Sequence, residues 1–382
     1  MEDNGFYRIK KYCFKPQSVM KSDSAILLPN SDSYFEKFFE IIEKAEKIIL
    51  LEVYEFADDS LGIAVAKALK RKASQGVKVY VIYDSVGSWL SERSFFEGMK
   101  KSGINIAEYN TVRHFYNLRK FFRRDHRKII AADFQKACVG GFNISLDYAP
   151  QSMGGRNWKD CGSYISGESA AKISELFFET WRKITKEEPP TVEKNIGSSK
   201  GVSVSVASGS GIRNYFSIRR NYKYAIDAAS EEIFITNAYF LPDKIIYRRL
   251  IKAARRGVEV KIIVPEKTDH PYVSLASWAM FPGLIKNGAE IYRWKGKILH
   301  SKTAVIDGFW VSLGSHNLDH RSLHYNLELN VNIYDEFIGK SMREEFLKDL
   351  ENCEKITLEK CKSRSFALKA LSRFIYFFRS WL

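Results

Sequence analysis

Short apolar runs recur along the chain, each preceded by a polar helix end. Residues 48–53 read Ile-Ile-Leu-Leu-Glu-Val and residues 233–238 read Ile-Phe-Ile-Thr-Asn-Ala. Runs of this length bounded by polar residues predict buried strands. Behind each comes a helical stretch closed by glycine, then a β-branched run at 76–82 and again at 257–263. Glycine just past a helix stops it and leads into a strand. A third matched pair lies at 103–109 and 288–292. A helix opens each half. Ser33 with Glu36 has the capping-box pattern, and Phe35, Phe38, Phe39 and Ile42 share one helical face. Residues 212–229 are expected to form the equivalent helix of the second half.

The pattern is an internal repeat. It predicts an α/β protein of two similar lobes, each a mixed, mainly parallel sheet flanked by helices. Two such lobes are expected to face each other about a pseudo-two-fold and share one cleft. Proline, glycine and serine between 186 and 201 mark a linker, with the boundary near Gly197. The expected division is an N-terminal extension (1–24), a first lobe (25–196), a second lobe (197–350) and a basic tail (351–382).

Composition narrows the class. The 382 residues are 45% apolar, which excludes a disordered chain. Lys and Arg number 60 against 45 Asp and Glu, a net charge of +15, which calls for an anionic partner. Cys13, Cys138, Cys161, Cys353 and Cys361 are scattered without a CxxC. That argues against a disulfide framework or thiolate zinc site and predicts reduced thiols in a cytoplasmic setting. Asp3, Arg8, Lys10, Lys11 and Lys15 interrupt any signal-peptide core. No uncharged stretch reaches the ~18 residues of a spanning helix, so the protein is expected to be soluble or peripheral.

The chemistry sits in a duplicated motif. His126, Lys128 and Asp133 fit H-x-K-x4-D, as do His300, Lys302 and Asp307. Asn143 follows His126 by 17 residues, and Asn317 follows His300 by 17. Residues two apart on a strand share a face, so each copy presents an imidazole beside an ammonium. Two imidazoles, two ammoniums and two amides in one cleft suit a phosphodiester. One neutral histidine attacks phosphorus and a second, protonated, protonates the leaving oxygen. The lysines and amides hold the non-bridging oxygens. This scheme uses no metal and no cofactor.

These residues resemble the phospholipase D superfamily, and most closely its bacterial cardiolipin synthase branch. The resemblance covers about residues 25–350. Its most specific patches are 126–145 and 300–328, with Gly140-Gly141-Phe142-Asn143-Ile144-Ser145 matched by Gly314-Ser315-His316-Asn317-Leu318-Asp319. Glycine at 141, where the superfamily often has serine, is common in cardiolipin synthases, whereas His316 and His320 depart from the family. The resemblance implies phosphatidyl transfer between two phosphatidylglycerol molecules through a phosphohistidine, releasing glycerol. His126 is taken as nucleophile by analogy alone. It also implies that a carboxylate downstream of each motif orients that motif's own histidine: Asp160 in the first half, Glu328 in the second. Ser315 joins Asn143 and Asn317 in phosphate binding. Asp133 and Asp307 belong to the catalytic motif but are expected to be architectural. The chain is read as the shorter form without N-terminal spanning helices, peripheral on the cytoplasmic side, with no obligatory protein partner. Hydrolysis, another alcohol acceptor or a superfamily nuclease are the rival readings, nucleic acid being the other polyanion that fits the charge.

Two segments are basic and aromatic. Residues 112–128 and 355–382 each hold seven Arg or Lys and one acid, together +12 of the +15. In the tail Ala367, Leu371, Phe374, Phe378 and Trp381 follow helical spacing, with Lys369, Arg373 and Ser380 opposite. That pattern predicts an interfacial anchor on an anionic membrane; the alternative is packing on the body through Leu371, Phe374 and Phe378. For 112–128 membrane contact and a role in the approach to the active strand stay equally open. Trp278 to Phe281 is read as a buried helix. His316, His320 and His324, spaced by four, are read as hydrogen-bonding groups at the cleft mouth.

Overall fold

The computed structural model describes residues 2–111, 122–188, 190, 201–209 and 217–379. The boundary expected near Gly197, residues 212–216, residues 112–121 and Trp381 lie outside them. The first half supplies β1 (Met20–Leu28), β2 (Ile48–Val53), β3 (Lys78–Asp84), β4 (Asn105–Tyr109), β5 (Ile129–Ala132), β6 (Lys136–Gly140) and β7 (Gly162–Gly167). The second supplies β8 (Val202–Ser208), β9 (Glu232–Asn237), β10 (Glu259–Pro265), β11 (Glu290–Trp294), β12 (Lys302–Ile306), β13 (Trp310–Gly314), β14 (Leu329–Tyr334) and β15 (Cys353–Ile356). All fifteen form one sheet, in the order β15-β11-β10-β9-β12-β13-β14-β8-β1-β7-β6-β5-β2-β3-β4. Apart from β15 the order is a palindrome of the repeat, with its pseudo-two-fold between β8 and β1. Those strands pair antiparallel, Met20 opposite Val204 and Ser22 opposite Val202.

The expected mainly parallel pairing is corrected. Only β2-β3-β4 and β9-β10-β11 are parallel; every other pair is antiparallel. The parallel pairs are those with room for a crossover helix, such as Ser60–Ser74 between β2 and β3. β5 to β6 and β12 to β13 are joined by three-residue turns at 133–135 and 307–309, which permit only hairpins.

Helices cover both faces. Glu168–Thr185 and Glu336–Leu350 lie on one, placing Phe177, Trp181, Ile338, Met342 and Phe346 in a core that runs across the seam. On the other, Ser31–Glu43 and Ser60–Ser74 cover the first lobe, and Ser217–Ala228 and Lys244–Arg255 the second. Gly76 and Gly257 sit at φ of 89°, the left-handed turn that ends each crossover helix. The helix Ser31–Glu43 is capped not by Ser33 but by Asn30, whose side chain accepts from the Ser33 amide at 2.9 Å; the asparagine three residues before the expected cap site competes successfully for that role.

Candidate active site

Because β5 and β12 run antiparallel to β2 and β9, their first residues lie at the C-terminal ends of the parallel strands, where α/β sheets gather ligands. His126 and His300 stand just before them. Each is held by a short backbone bridge to the other lobe. His126 donates its amide to the Leu327 carbonyl at 3.0 Å, and Leu327 donates to Arg124 at 2.8 Å. His300 donates to Lys159 at 2.8 Å, and Lys159 to Ile298 at 2.9 Å.

The bridges carry the carboxylates with them. Glu328, next to Leu327, lies 3.1 and 3.2 Å from Nδ1 of His126. Asp160, next to Lys159, lies 2.7 Å from Nδ1 of His300. Both carboxylates are fully buried. The pairing is therefore crossed: each carboxylate serves the opposite lobe's histidine, not its own as expected. Sequence order suggested the reverse because it cannot show which strand ends meet at the seam. A carboxylate at Nδ1 fixes the proton there and leaves the Nε2 lone pair for chemistry.

The two histidines differ. The His126 side chain is 12% exposed and His300 4%. Tyr148, which no motif singles out, sets its hydroxyl 3.4 Å from Nε2 of His300 and accepts from the Asn143 amide at 3.0 Å. His126 has no such hydroxyl beside it among the described residues; its ring meets that of Tyr54 at 5.3 Å between centroids and hydrogen-bonds the Ser315 backbone. Lys128 and Lys302 each donate to the carbonyl of their own histidine. Lys302 also stands 2.8 Å from Nδ1 of His300; with Asp160 as that nitrogen's acceptor, the lysine is a neighbouring charge. Ser315 binds Glu328 rather than open cleft. Asn317 is buried, its Oδ1 without a partner among the described residues.

Burial dominates the electrostatics. It holds His126 well below the ordinary histidine range, helped by Lys128, Lys302 and His300. Burial, then Lys302, lowers His300, against the pull of Asp160. Burial pushes Lys128 down to about 7 and Lys302 to about 8. It raises Glu328, against the charges of His316 and Lys128. Burial thus favours two neutral imidazoles and two lysines close to neutrality, whose protonated forms an anion would stabilise.

Asp133 and Asp307 are not in the cleft. They stand at the far ends of β5 and β12, each accepting three backbone amides: Glu46, Lys47 and Ile48 for Asp133, Ser230, Glu231 and Glu232 for Asp307. His316 is buried rather than at the cleft mouth, lowered by burial to about 4, with Nδ1 unpartnered among the described residues. The His320 and His324 rings stack at 3.9 Å on the short helix His320–His324. No group of three or more His, Cys, Asp or Glu among the described residues is arranged to hold a metal.

Of the first basic segment, Arg124 and Arg127 are buried and face Asp84 and Glu52, so they are structural. Met280 and Phe281 are buried as expected, but Trp278 and Ala279 are half-buried and 278–280 form a turn between the helices Pro271–Ser277 and Phe281–Ile285, not a helix. In the tail, the helix Phe366–Phe377 packs on Pro271–Ser277, with Ile375 and Tyr376 against the cluster that holds Tyr239 and Val273. Leu371, Phe374 and Phe378, the residues that would carry packing on the body, are exposed instead. No helix among the described residues is long and apolar enough to cross a membrane.

The family described as cardiolipin synthase, PLD-like domain, matches residues 38–181 and 222–350. The chain belongs to this family. It is 32% identical over 361 residues to a cardiolipin synthase of Geobacillus kaustophilus, covering 92% of this chain and 71% of that one. It is 33% identical over 344 residues to one of Clostridium perfringens, covering 88% and 72%. Among solved structures, a phosphatidylserine synthase of Haemophilus influenzae superposes with a TM-score of 0.76 at 14% identity, covering 99% of this chain and all of that one. A polyphosphate kinase of Porphyromonas gingivalis gives 0.58 at 17%, covering 94% and 53%. Those two likenesses bear on the fold, which is that of the phospholipase D superfamily.

Proposed function

We propose that the chain makes cardiolipin from two phosphatidylglycerol molecules, in a cleft between the lobes 25–196 and 197–350. Nε2 of His126 attacks the phosphorus of the first molecule. The bond to the headgroup glycerol breaks, and His300, as imidazolium, protonates the departing oxygen. A headgroup hydroxyl of the second molecule then gives its proton to His300 and attacks phosphorus. The N–P bond breaks, and cardiolipin leaves with His300 protonated again. Lys128, Lys302, Asn143 and Asn317 hold the non-bridging oxygens. Glu328 and Asp160 keep the Nδ1 protons in place and stabilise the charge each ring acquires.

The single observation that carries this reading is the crossed pair of histidine–carboxylate contacts around two rings of unlike exposure. It supports His126 as nucleophile, because its side chain is the more exposed. It supports His300 as acid and base, because Tyr148 and Asp160 already fix its ring. The anionic substrate, with Asp160 and Asp269, offsets the burial that lowers His300.

The same reading sets the protein peripherally on the cytoplasmic face of a membrane. Apolar side chains flank the C-terminal ends of the parallel strands in both lobes: Trp89 and Leu90, 73% and 80% exposed, beyond β3, and Phe374 and Phe377 on the tail helix. Five unpaired cysteines agree with a reducing compartment. Mass spectrometry of lipids after incubation with phosphatidylglycerol liposomes tests the reaction. Cardiolipin and glycerol are the expected products; phosphatidic acid alone would make the protein a hydrolase.

A further inference from the structure

The tail helix closes a second pocket that shares no residue with the catalytic set. It has a volume of about 250 Å³, between the Trp278–Lys286 stretch and the two tail helices, Leu358–Ser363 and Phe366–Phe377. Five basic side chains line it, Lys286, Lys362, Arg364, Lys369 and Arg373, and no carboxylate does. Among the described residues none of the five makes an ion pair. Nearby, Lys355 pairs with Glu290 and Lys360 with Glu354. Glu359 offsets part of the charge of Lys362, and the remaining excess of cations around one concavity leaves a positive field, which favours a bound anion.

The pocket is also built. Arg364 lies 4.3 Å over the Trp278 ring and donates to the buried Ser372 hydroxyl at 3.2 Å, so its guanidinium is set in place before any ligand arrives. The size is below the roughly 300–1,000 Å³ of pockets for drug-sized ligands, which suits a phosphate with a small polar group. Phe366, Phe374 and Phe377, among the most exposed aromatics of the chain, stand on the same helix as Lys369 and Arg373. A soluble phosphate compound would have no use for that apolar face; a lipid in a bilayer has use for both.

We propose that this pocket binds the phosphate of an anionic phospholipid headgroup while the phenylalanines enter the bilayer. It is then a non-catalytic lipid site that holds the enzyme at its substrate. The inference deepens the membrane reading above but does not need the chemistry to be right.

The test uses the full chain with Lys369→Gln and Arg373→Gln together. Vesicles of phosphatidylglycerol in phosphatidylcholine are the probe, with co-sedimentation as readout. At about 1 kcal/mol per basic group, binding should weaken about 30-fold. Lys340→Gln with Lys348→Gln removes the same charge from exposed positions outside the pocket, and should cost less than about threefold. Equal losses in the two pairs, or none in the first, would overturn the proposal in favour of diffuse attraction. Retained vesicle binding with loss of inorganic phosphate binding, by calorimetry, would overturn it in favour of a soluble ligand. If a thermal melt finds the first pair misfolded, Lys286→Gln with Arg373→Gln takes its place. His126→Ala should bind vesicles like wild type, so failure of the catalytic reading leaves this result standing.

Discussion

Asp160 fills the space over Gly141 so closely that a β-carbon on the glycine would stand 2.2 Å from Oδ2. Its counterpart in the other lobe is Ser315, which instead hydrogen-bonds Glu328. The glycine is thus a steric requirement of a carboxylate that sits 2.7 Å from His300. Gly141→Ala should push Asp160 off the imidazole. The expected cost is about 100-fold or more in kcat, as for other losses of the group that orients a catalytic histidine. Ser315→Ala, which removes one bond to Glu328 and adds no atom, should cost far less. Steady-state kinetics on both variants checks this; a near-normal Gly141→Ala enzyme would contradict it.

The crossed contacts predict which variants couple. Asp160→Asn combined with His300→Ala should cost little more than His300→Ala alone, and Glu328→Gln should behave likewise with His126→Ala. Coupling in the same-lobe combinations instead would refute the geometry. Each single histidine variant should lose several orders of magnitude. His300→Ala, lacking the leaving-group acid, should accumulate acid-labile label on a peptide containing His126.

Anion affinity should fall with rising pH. Lys128 and Lys302 are pushed down by burial to about 7 and about 8. An anion binds the protonated forms, so affinity is full below pH 7 and is lost as pH rises through these values. Sulfate, whose own charge is constant from pH 6.5 to 9, should bind at least about tenfold more weakly at the upper end. Flat affinity by calorimetry would contradict the shifts.

Stability should fall on acidification. His126 and His300 lie below their ordinary range in the folded state, mainly through burial. Near and below pH ~6.5 the unfolded chain therefore binds more protons, and folding loses free energy as pH drops. Glu328, raised by burial, works in the opposite direction. Replacing both histidines by asparagine should flatten the fall in melting temperature between pH 7.5 and 5.5.

Asp133→Asn and Asp307→Asn should affect folding rather than chemistry. Each removes a carboxylate that accepts three backbone amides. A loss of about 1–3 kcal/mol in denaturant unfolding is expected, with kcat of the folded fraction retained.

Much of this was legible in the chain. The repeat set the lobes, because strand and helix periods and their glycine stops are local signals. The doubled motif, with its equal asparagine offsets, marked the two histidines that the fold brings near each other. Two things were not legible. Strand direction within each lobe follows, at β5-β6 and β12-β13, from turns too short for a crossover, which apolar runs alone do not reveal. The partners of Asp160 and Glu328 depend on backbone bridges between segments far apart in sequence, as does the placement of Tyr148 against His300. The tail's amphipathic spacing was plain, but which side faced solvent was decided by Pro271–Ser277, a helix nothing in the tail announces.

Crossing has a consequence for how such a chain divides. A lobe on its own holds a histidine without its acid and an acid without its histidine, so it is half of two devices and the whole of neither. Two identical lobes joined about a true symmetry axis would complete both pairs at once. The covalent duplication behaves as a dimer whose subunits were tied together, and the tie released them from being identical. Gly141 could then diverge from Ser315, and one imidazole could gain Tyr148 while the other stayed the more exposed. Separately expressed halves should be inert alone and recover turnover only when mixed.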